Sequence, residues 1–377
     1  MKPYYHDNLR TVYNKSCTDM SELPDGSIQM CVTSPPYWGL RKYSGNQELI
    51  WGSTNHHEHE WGAEIIHKKG YAGDKSTLVG TQTADITKEA NSQGQYCQVC
   101  NAWRGAYGLE PTPELYVQHT IEILREIRRV LRKDGVVFWN VGDTYFGSGQ
   151  GYGDTKTTNK NHTGSRERQK PVWNSSVLKP KDLCLIPFRV AIAAQEDGWW
   201  VRSVIIWNKP NPMPESVKDR PTEAHEYILM LTKSARYYWD MEAVREPIQQ
   251  TTLNDIRFGT RVINGGRYTE LNETDNSINQ SFFSANPNGR NLRSVWDFPT
   301  QPYREAHFAT FPEKLPEICI KAASKECDLV LDPFAGSGTT LFVASKLSRR
   351  SVGYELSTEY CDLIIERNKQ QVMELSK

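Results

Sequence analysis

The segment Leu329-Val-Leu-Asp-Pro-Phe-Ala-Gly-Ser-Gly-Thr-Thr340 constrains the fold of this chain more than any other stretch. An apolar run ends at Asp332-Pro333, a tight turn holds Gly336 and Gly338, and a helix-compatible run begins at Thr339. Such glycines let the backbone approach a ligand closely, with the N–H groups of a helix start just behind. The spacing is not a P-loop, because no Lys follows the last Gly. Nor is it GxGxxG, because Leu341 stands where the third Gly would be. Taken alone, the turn is equally well read as plain strand-to-helix packing. Two acids favour a ligand. Asp332 closes its strand where α/β sheets place contacts, and Glu355 closes the next strand 23 residues later. An acid about 20 residues beyond such a turn is placed to accept hydrogen bonds from ribose hydroxyls. An adenosine-containing cofactor without a pyrophosphate fits this pattern best.

The rest of the chain supplies a sheet around that turn. Residues 10–16 and 28–34 read as strands, the second stopped by Pro35 and Pro36. Thr112-Pro113-Glu114 announces a helix, carried by Leu115, Ile121, Leu124, Ile127 and Leu131 until Asp134-Gly135. A strand at 136–141, a helix at 182–196 and strands at 199–207 and 226–232 follow. A helix from Pro312, the strand 329–334, a helix from Thr339, the strand 351–356 and a helix from Thr358 complete the chain. Strands alternating with helices predict a parallel-type α/β sheet. Three polar, irregular stretches interrupt it: 40–110, 145–180 and 245–305. Length alone, 377 residues, suggests two domains. The pattern instead predicts a single catalytic domain, residues 1–377, enlarged by three insertions.

Composition excludes little beyond disorder. Lys+Arg and Asp+Glu are 45 each, so the formal charge is zero and a strongly basic chain is not available as an argument for nucleic acid. A polyanion meets a local patch, however, not an average. No run of about 18 apolar residues is present, which predicts no membrane partner. The polar start and eight cysteines without a disulfide pattern predict a cytoplasmic protein.

Thr33-Ser34-Pro35-Pro36-Tyr37-Trp38 closes the strand 28–34. Pro35 offers a carbonyl without an N–H, Ser34 a hydroxyl, and Tyr37 and Trp38 offer ring faces. The set suits a planar group bearing an amine, although a stiff structural turn accounts for it as well. Together with LDPFAGSGTT it resembles one family closely, the DNA amino-methyltransferases that use S-adenosylmethionine. TSPPYW resembles their catalytic motif (Ser34, Pro35, Pro36, Tyr37). LDPFAGSGTT resembles their cofactor motif (Asp332, Pro333, Phe334, Gly336, Ser337, Gly338, Thr339, with Glu355 beyond it). The segment His307–Lys314, with Phe308, Thr310 and Phe311, resembles a further cofactor segment. Catalytic motif first and cofactor motif last is the circularly permuted order of the β group. The resemblance implies a Rossmann-like sheet of seven strands, with 199–207 and 226–232 as its antiparallel edge. One departure stands out: relatives often carry an acid after the first strand that contacts the adenine. Here the stretch is Asn14-Lys15-Ser16-Cys17, with Asp19 as the nearest acid.

The resemblance also implies the chemistry. An exocyclic amine is a poor nucleophile because its lone pair is delocalised into the ring. Ser34 Oγ and the Pro35 carbonyl would accept its two N–H bonds and aim the lone pair at a sulfonium methyl group. Transfer would be an in-line displacement without a covalent intermediate or catalytic metal. The base must leave the stack, with Tyr37 and Trp38 as candidate stacking faces and Lys209 and Asn211 in the loop 207–216 as candidate pocket residues. Ser in the first motif position resembles the cytosine-N4 enzymes, with adenine-N6 as the runner-up. A cognate restriction enzyme is a natural partner for such a chain.

Two insertions carry further signals. Cys97-Gln-Val-Cys100 has the spacing of a zinc knuckle, and His57-x-His59 completes a Cys2His2 set for structural zinc. Free thiols beside a His-rich loop are the plainer alternative. The stretch 145–180 holds six Lys/Arg against two acids, and Lys156, Lys160, Arg166, Arg168 and Lys170 are the expected contacts to double-stranded DNA. Residues 245–305 are the candidate region for target recognition. A reading from another class, a non-catalytic DNA-binding protein with a zinc module, is opposed by the intact motifs.

Overall fold

The computed structural model describes residues 2–39, 47–52, 57–67, 91–92, 94–146, 177–212, 214–247, 288–301 and 311–375. The strands, in chain order, begin with β1 (Tyr5–His6), β2 (Arg10–Tyr13), β3 (Ile28–Thr33) and β4 (Glu48–Trp51). Next come β5 (Ile66–His67), β6 (Asn91–Ser92), β7 (Gln95–Tyr96) and β8 (Trp103–Ala106). Helix α1 (Pro113–Val130) leads into β9 (Leu131–Val141), and α2 (Ile186–Glu196) leads into β10 (Trp200–Asn208) and β11 (His225–Thr232). The chain closes with β12 (Val295–Asp297), α3 (Lys314–Ala323), β13 (Leu329–Asp332), α4 (Thr339–Lys346), β14 (Arg350–Tyr354) and α5 (Thr358–Leu375).

Among the described residues the main sheet has nine strands, in the order β1-β2-β14-β13-β3-β9-β11-β10-β12. Seven were expected. The short β1 and β12 add one strand to each edge, pairing with β2 and β10. Neighbours from β2 to β9 run parallel, whereas β11 is antiparallel to both β9 and β10. Alternation of side chains sets the layers. Cys31, Val137, Trp139, Leu229 and Leu331 face one side and pack on Ile123, Leu124 and Ile127 of α1 and Val190 of α2. Met30, Val32, Val136, Phe138, Met230 and Val330 face the other and pack on Leu315, Cys319 and Ile320 of α3 and Val343 of α4. Both faces are covered, so the central strands read as continuous apolar runs.

Local chemistry places the elements. Thr112 Oγ accepts the Leu115 N–H at 3.2 Å and Pro113 opens α1. The helix ends earlier than expected, at Val130, and β9 runs straight through Asp134-Gly135. Its ladder with β3 begins at Leu131 opposite Ile28 and shifts register before Met30, so sheet pairing overrides the helix-stop signal. The start of α2 is capped from a distance: Asp143 Oδ1 accepts the Ile186 N–H at 3.2 Å. Within the stretch 40–110, β4, β8 and β7 form a separate antiparallel sheet. Its Trp51 and Trp103, with nearby Tyr107, join the main core.

Candidate active site

The sheet brings its chemistry to one edge. Thr33 and Asp332 end the parallel strands β3 and β13, and Glu355 follows the end of β14. Because β11 runs the other way, its first residues, His225 and Glu226, reach the same edge. Connections leave β13 toward β14 on one side and β3 toward β9 on the other, so the switch point lies between β3 and β13. The Thr33 hydroxyl bridges it, donating to Asp332 Oδ1 at 2.6 Å.

On the β3 side the Ser-Pro-Pro-Tyr turn is held from several directions. Tyr116 of α1, fully buried, donates its hydroxyl to the Pro36 carbonyl at 3.0 Å. The Ser34 hydroxyl donates to the Tyr37 oxygen at 3.1 Å, and the Tyr37 hydroxyl donates to Glu226 Oε2 at 2.6 Å. Asn140 Nδ2, on β9, approaches Tyr37 Oη at 2.8 Å, Glu226 Oε2 at 2.9 Å and Ser34 Oγ at 3.4 Å. The Lys209 ammonium donates to Glu226 Oε1 and lies 4.8 Å from the Trp207 ring centroid. The tyrosine ring packs on Gly142, where a Cβ would come within 2.8 Å of it.

On the β13 side the Gly-rich turn is built around acids. Asp332 is 1% exposed and accepts the Phe334 N–H at 3.1 Å. Burial raises its carboxyl to about 6, against the opposing hydrogen bonds from Thr33, Thr340 and the Phe334 N–H. Glu355 accepts the Gly336 N–H at 2.9 Å and the Ser357 N–H at 2.8 Å. Burial raises its carboxyl too, outweighing those bonds. Gly338 has φ +78°, and a Cβ there would meet Ile364 at 2.9 Å, so only glycine fits. Arg367 grips the turn from α5, donating to Thr339 Oγ at 3.0 Å. The Ser337 Oγ is buried without a hydrogen-bond partner among the described residues, an open polar position in the turn. Phe334 stacks on Tyr107, ring centroids 5.6 Å apart.

The metal candidates also converge. Backbone pairing of Trp61 with Cys97, and the Gln98 N–H on the Glu60 carbonyl at 2.8 Å, lays the His segment beside the Cys knuckle. Cys97 Sγ lies 3.6 Å from His57 Nε2, and Cys100 Sγ lies 3.6 Å from His59 Nδ1. All four donor atoms fall within 4.8 Å of one another. A tetrahedral zinc with arms of about 2.3 Å to sulfur and about 2.0–2.1 Å to nitrogen separates S from N by about 3.5 Å. Burial disfavours the Cys97 thiolate, but the Cys100 and Val99 N–H groups and both imidazoles outweigh it, bringing the thiol down to about 5.

One expected residue stands elsewhere. Trp38 is 2% exposed and its Nε1 donates to the Glu110 carbonyl at 2.9 Å, so its ring belongs to the core and faces no open site. The reason is the insertion, which returns at Gly108 to meet the turn through a Gly39 N–H bond of 2.8 Å. Asn211 is exposed. Asp19, the substitute adenine contact, is tied to Lys15 at 2.8 Å and to the Ser21 N–H at 3.0 Å. Those bonds hold its carboxyl down at about 2. Phe311 packs against the α3 side of the core. Phe308 and Thr310 lie outside the described residues, as do Lys156, Lys160, Arg166, Arg168 and Lys170. Sequence reading missed Asn140 and Glu226. The available signals were a lone amide in the apolar run VVFWNV and an acid at the head of HEYILMLT.

Comparison with known proteins agrees with this geometry. The family profile described as DNA methylase, of the N6/N4 methyltransferases, matches residues 28–366. The type II methyltransferase M.SmaI of Serratia marcescens is 38% identical over 344 residues, covering 91% of this chain and 85% of that protein. M.Cfr9I of Citrobacter freundii, also a type II methyltransferase, is 35% identical over 348 residues, covering 92% and 83%. Among solved structures, a PvuII DNA methyltransferase described as cytosine-N4-specific shares the fold at a TM-score of 0.55 and 16% identity, covering 97% of this chain and 88% of that one. A profile match over most of the chain, with relatives above 30% identity along most of their own length, places this protein in the N6/N4 DNA methylase family as a site-specific type II DNA methyltransferase.

Proposed function

We propose that the chain methylates the N4 amine of a flipped cytosine in double-stranded DNA, with S-adenosylmethionine as the methyl donor. One observation carries this reading. The Ser34–Tyr37 acceptor turn and the Asp332–Gly338 turn sit on adjacent strands, joined by the 2.6 Å bond from Thr33 to Asp332. A base amine and a bound cofactor are thereby brought side by side, which is the condition for an in-line transfer. The residues present suit the cofactor: two glycines in the left-handed region, a Ser337 hydroxyl without a partner among the described residues, and acids at Asp332 and Glu355. When bound, S-adenosylmethionine supplies an electrophilic methyl group on a sulfonium.

The protein's part is positioning. Ser34 Oγ and the Pro35 carbonyl accept the two amine N–H bonds, which pyramidalises the nitrogen and frees its lone pair. With Trp38 inside the core, Tyr37 remains as the stacking candidate beside a flipped base. Serine in the first motif position favours cytosine, as does the cytosine-N4 specificity of the PvuII enzyme that shares the fold. In this reading the catalytic motif precedes the cofactor motif because the chain is circularly permuted, so β13 and β14 come last. Structural zinc held by His57, His59, Cys97 and Cys100 closes the insertion 40–110. The basic 145–180 loop contacts DNA phosphates, and a cognate restriction enzyme completes the system.

Incubation with S-adenosylmethionine and plasmid DNA, then mass spectrometry of the nucleosides, tests the base. N4-methyl-2′-deoxycytidine is the expected product. N6-methyl-2′-deoxyadenosine would move the assignment to the other amine, and no methylated nucleoside would remove it.

A further inference from the structure

We propose that Ser34, Tyr37 and Glu226 form a proton relay that removes the proton the target amine must lose; the proposal rests on reading the site as an amine methyl-transfer centre. The hydrogen-bond directions are fixed from the far end. Lys209 donates to Glu226 Oε1 and Asn140 to Oε2, so both carboxylate oxygens serve as acceptors. The Tyr37 hydroxyl therefore donates to Glu226, at 2.6 Å. Its oxygen in turn accepts from Asn140 at 2.8 Å and from the Ser34 hydroxyl at 3.1 Å. With the Ser34 proton committed to Tyr37, the serine oxygen presents lone-pair density to an incoming N–H. The Asn140 amide, at 3.4 Å, is only a weak competitor for it.

Methyl transfer gives this arrangement its use. The amine nitrogen forms an N–C bond while the C–S bond breaks, and that electron pair returns to sulfur. The nitrogen gains a positive charge and becomes strongly acidic. Its proton passes to Ser34 Oγ, the Ser34 proton to the Tyr37 oxygen, and the Tyr37 proton to Glu226 Oε2. The sulfonium charge and the carboxylate charge are thereby both discharged. Glu226 then returns the proton to solvent, which its side chain reaches at 17% exposure. Among the described residues, the titratable groups hydrogen-bonded to Glu226 are Tyr37, from the loop after β3, and Lys209, beyond β10. Asn140 supports the carboxylate from β9 without titrating. The relay thus draws on four neighbouring strands, and Glu226 acts through Tyr37 as a positioning residue, without touching the base.

The test uses the full chain with tritiated S-adenosylmethionine and phage λ DNA under enzyme excess, so that a single turnover is read. Tyr37→Phe and Glu226→Gln are each expected to slow transfer by about 10²-fold. Cofactor affinity, measured by equilibrium dialysis, should stay at the wild-type value. The double variant should be no slower than the slower single one, because either change breaks the same chain. Both single variants should regain rate as pH rises from about 7 to about 9, where hydroxide replaces the lost acceptor. Glu226→Gln combined with Lys209→Met removes the mismatched donor pair and should stay as slow as Glu226→Gln alone. Glu226→Gln within about threefold of wild type, or losses that multiply in the double variant, would overturn the relay. A wild-type chain that binds cofactor yet transfers no tritium to DNA would overturn the underlying reading along with it.

Discussion

Replacing Asp332 with Asn should stabilise the ligand-free protein at alkaline pH, and the size of the gain follows from burial. The carboxyl is raised from 3.8 to about 6, chiefly by its removal from water. Each unit is worth about 1.4 kcal/mol, so holding the ionised form inside the fold costs roughly 3 kcal/mol. The sign follows from proton counting. Below about pH 4 both folded and unfolded states carry the proton, and the penalty is absent. Between about pH 4 and pH 6 the unfolded chain has released its proton while the folded chain keeps it, so this group's contribution to stability falls as pH rises. Above about pH 6 the full penalty is present. Asn retains an oxygen for the Thr33 hydroxyl and the Phe334 N–H, and its amide can donate to Thr340. Urea unfolding followed by tryptophan fluorescence should therefore show Asp332→Asn more stable by up to roughly 3 kcal/mol near pH 8, with the gain fading toward pH 4. Equal stability near pH 8, or a gain of the same size near pH 4, would refute the buried-charge argument. The same variant should bind S-adenosylmethionine more weakly, because a charge retained at that cost is held for a ligand.

Three other perturbations have definite outcomes. Gly338→Ala places a side chain at φ +78° and 2.9 Å from Ile364, so it should cost about 2–3 kcal/mol of stability and weaken cofactor binding, read by urea midpoint and equilibrium dialysis. Tyr116→Phe removes the donor held by the Pro36 carbonyl; a stability loss of about 1 kcal/mol and a lower transfer rate at unchanged cofactor affinity are expected. Purified protein should carry one zinc per chain by elemental analysis, and Cys97→Ser with Cys100→Ser should release it and lower the melting temperature. A metal-free wild type with the same melting temperature would contradict the Cys2His2 assignment.

How much was legible in the sequence depended on how local the cause was. The turn at 332–340 was readable because strand, turn and helix start are encoded by contiguous residues, and the same holds for Ser34–Tyr37. The Thr112 cap of α1 was readable for that reason, whereas the helix end was not. Asp134-Gly135 signals a stop, but the ladder from Leu131 against Ile28 sets the boundary, and that ladder depends on a strand about a hundred residues away. Strand β12 was hidden because three residues inside a polar stretch become a strand only through pairing with Ile206–Asn208. Trp38 looked like a stacking ring because local sequence cannot show that the insertion folds back over it. The Glu226 cluster was missed for the same reason: Asn140 and Glu226 lie on separate strands, Ser34 and Lys209 just beyond the ends of two others, and the four meet only at the sheet edge. Spacing suggested His57, His59, Cys97 and Cys100, and pairing between Trp61 and Cys97 brings their donor atoms together.

The division of labour between the two turns is tested most directly by Ser34→Ala, followed in two assays on one preparation. Equilibrium dialysis should give the wild-type affinity for S-adenosylmethionine, because the Asp332–Gly338 turn is untouched. Tritium transfer to DNA should fall by about 10²-fold or more, because the amine has lost its hydroxyl acceptor. Transfer at the wild-type rate, or cofactor affinity lost together with transfer, would contradict the assignment of amine activation to Ser34.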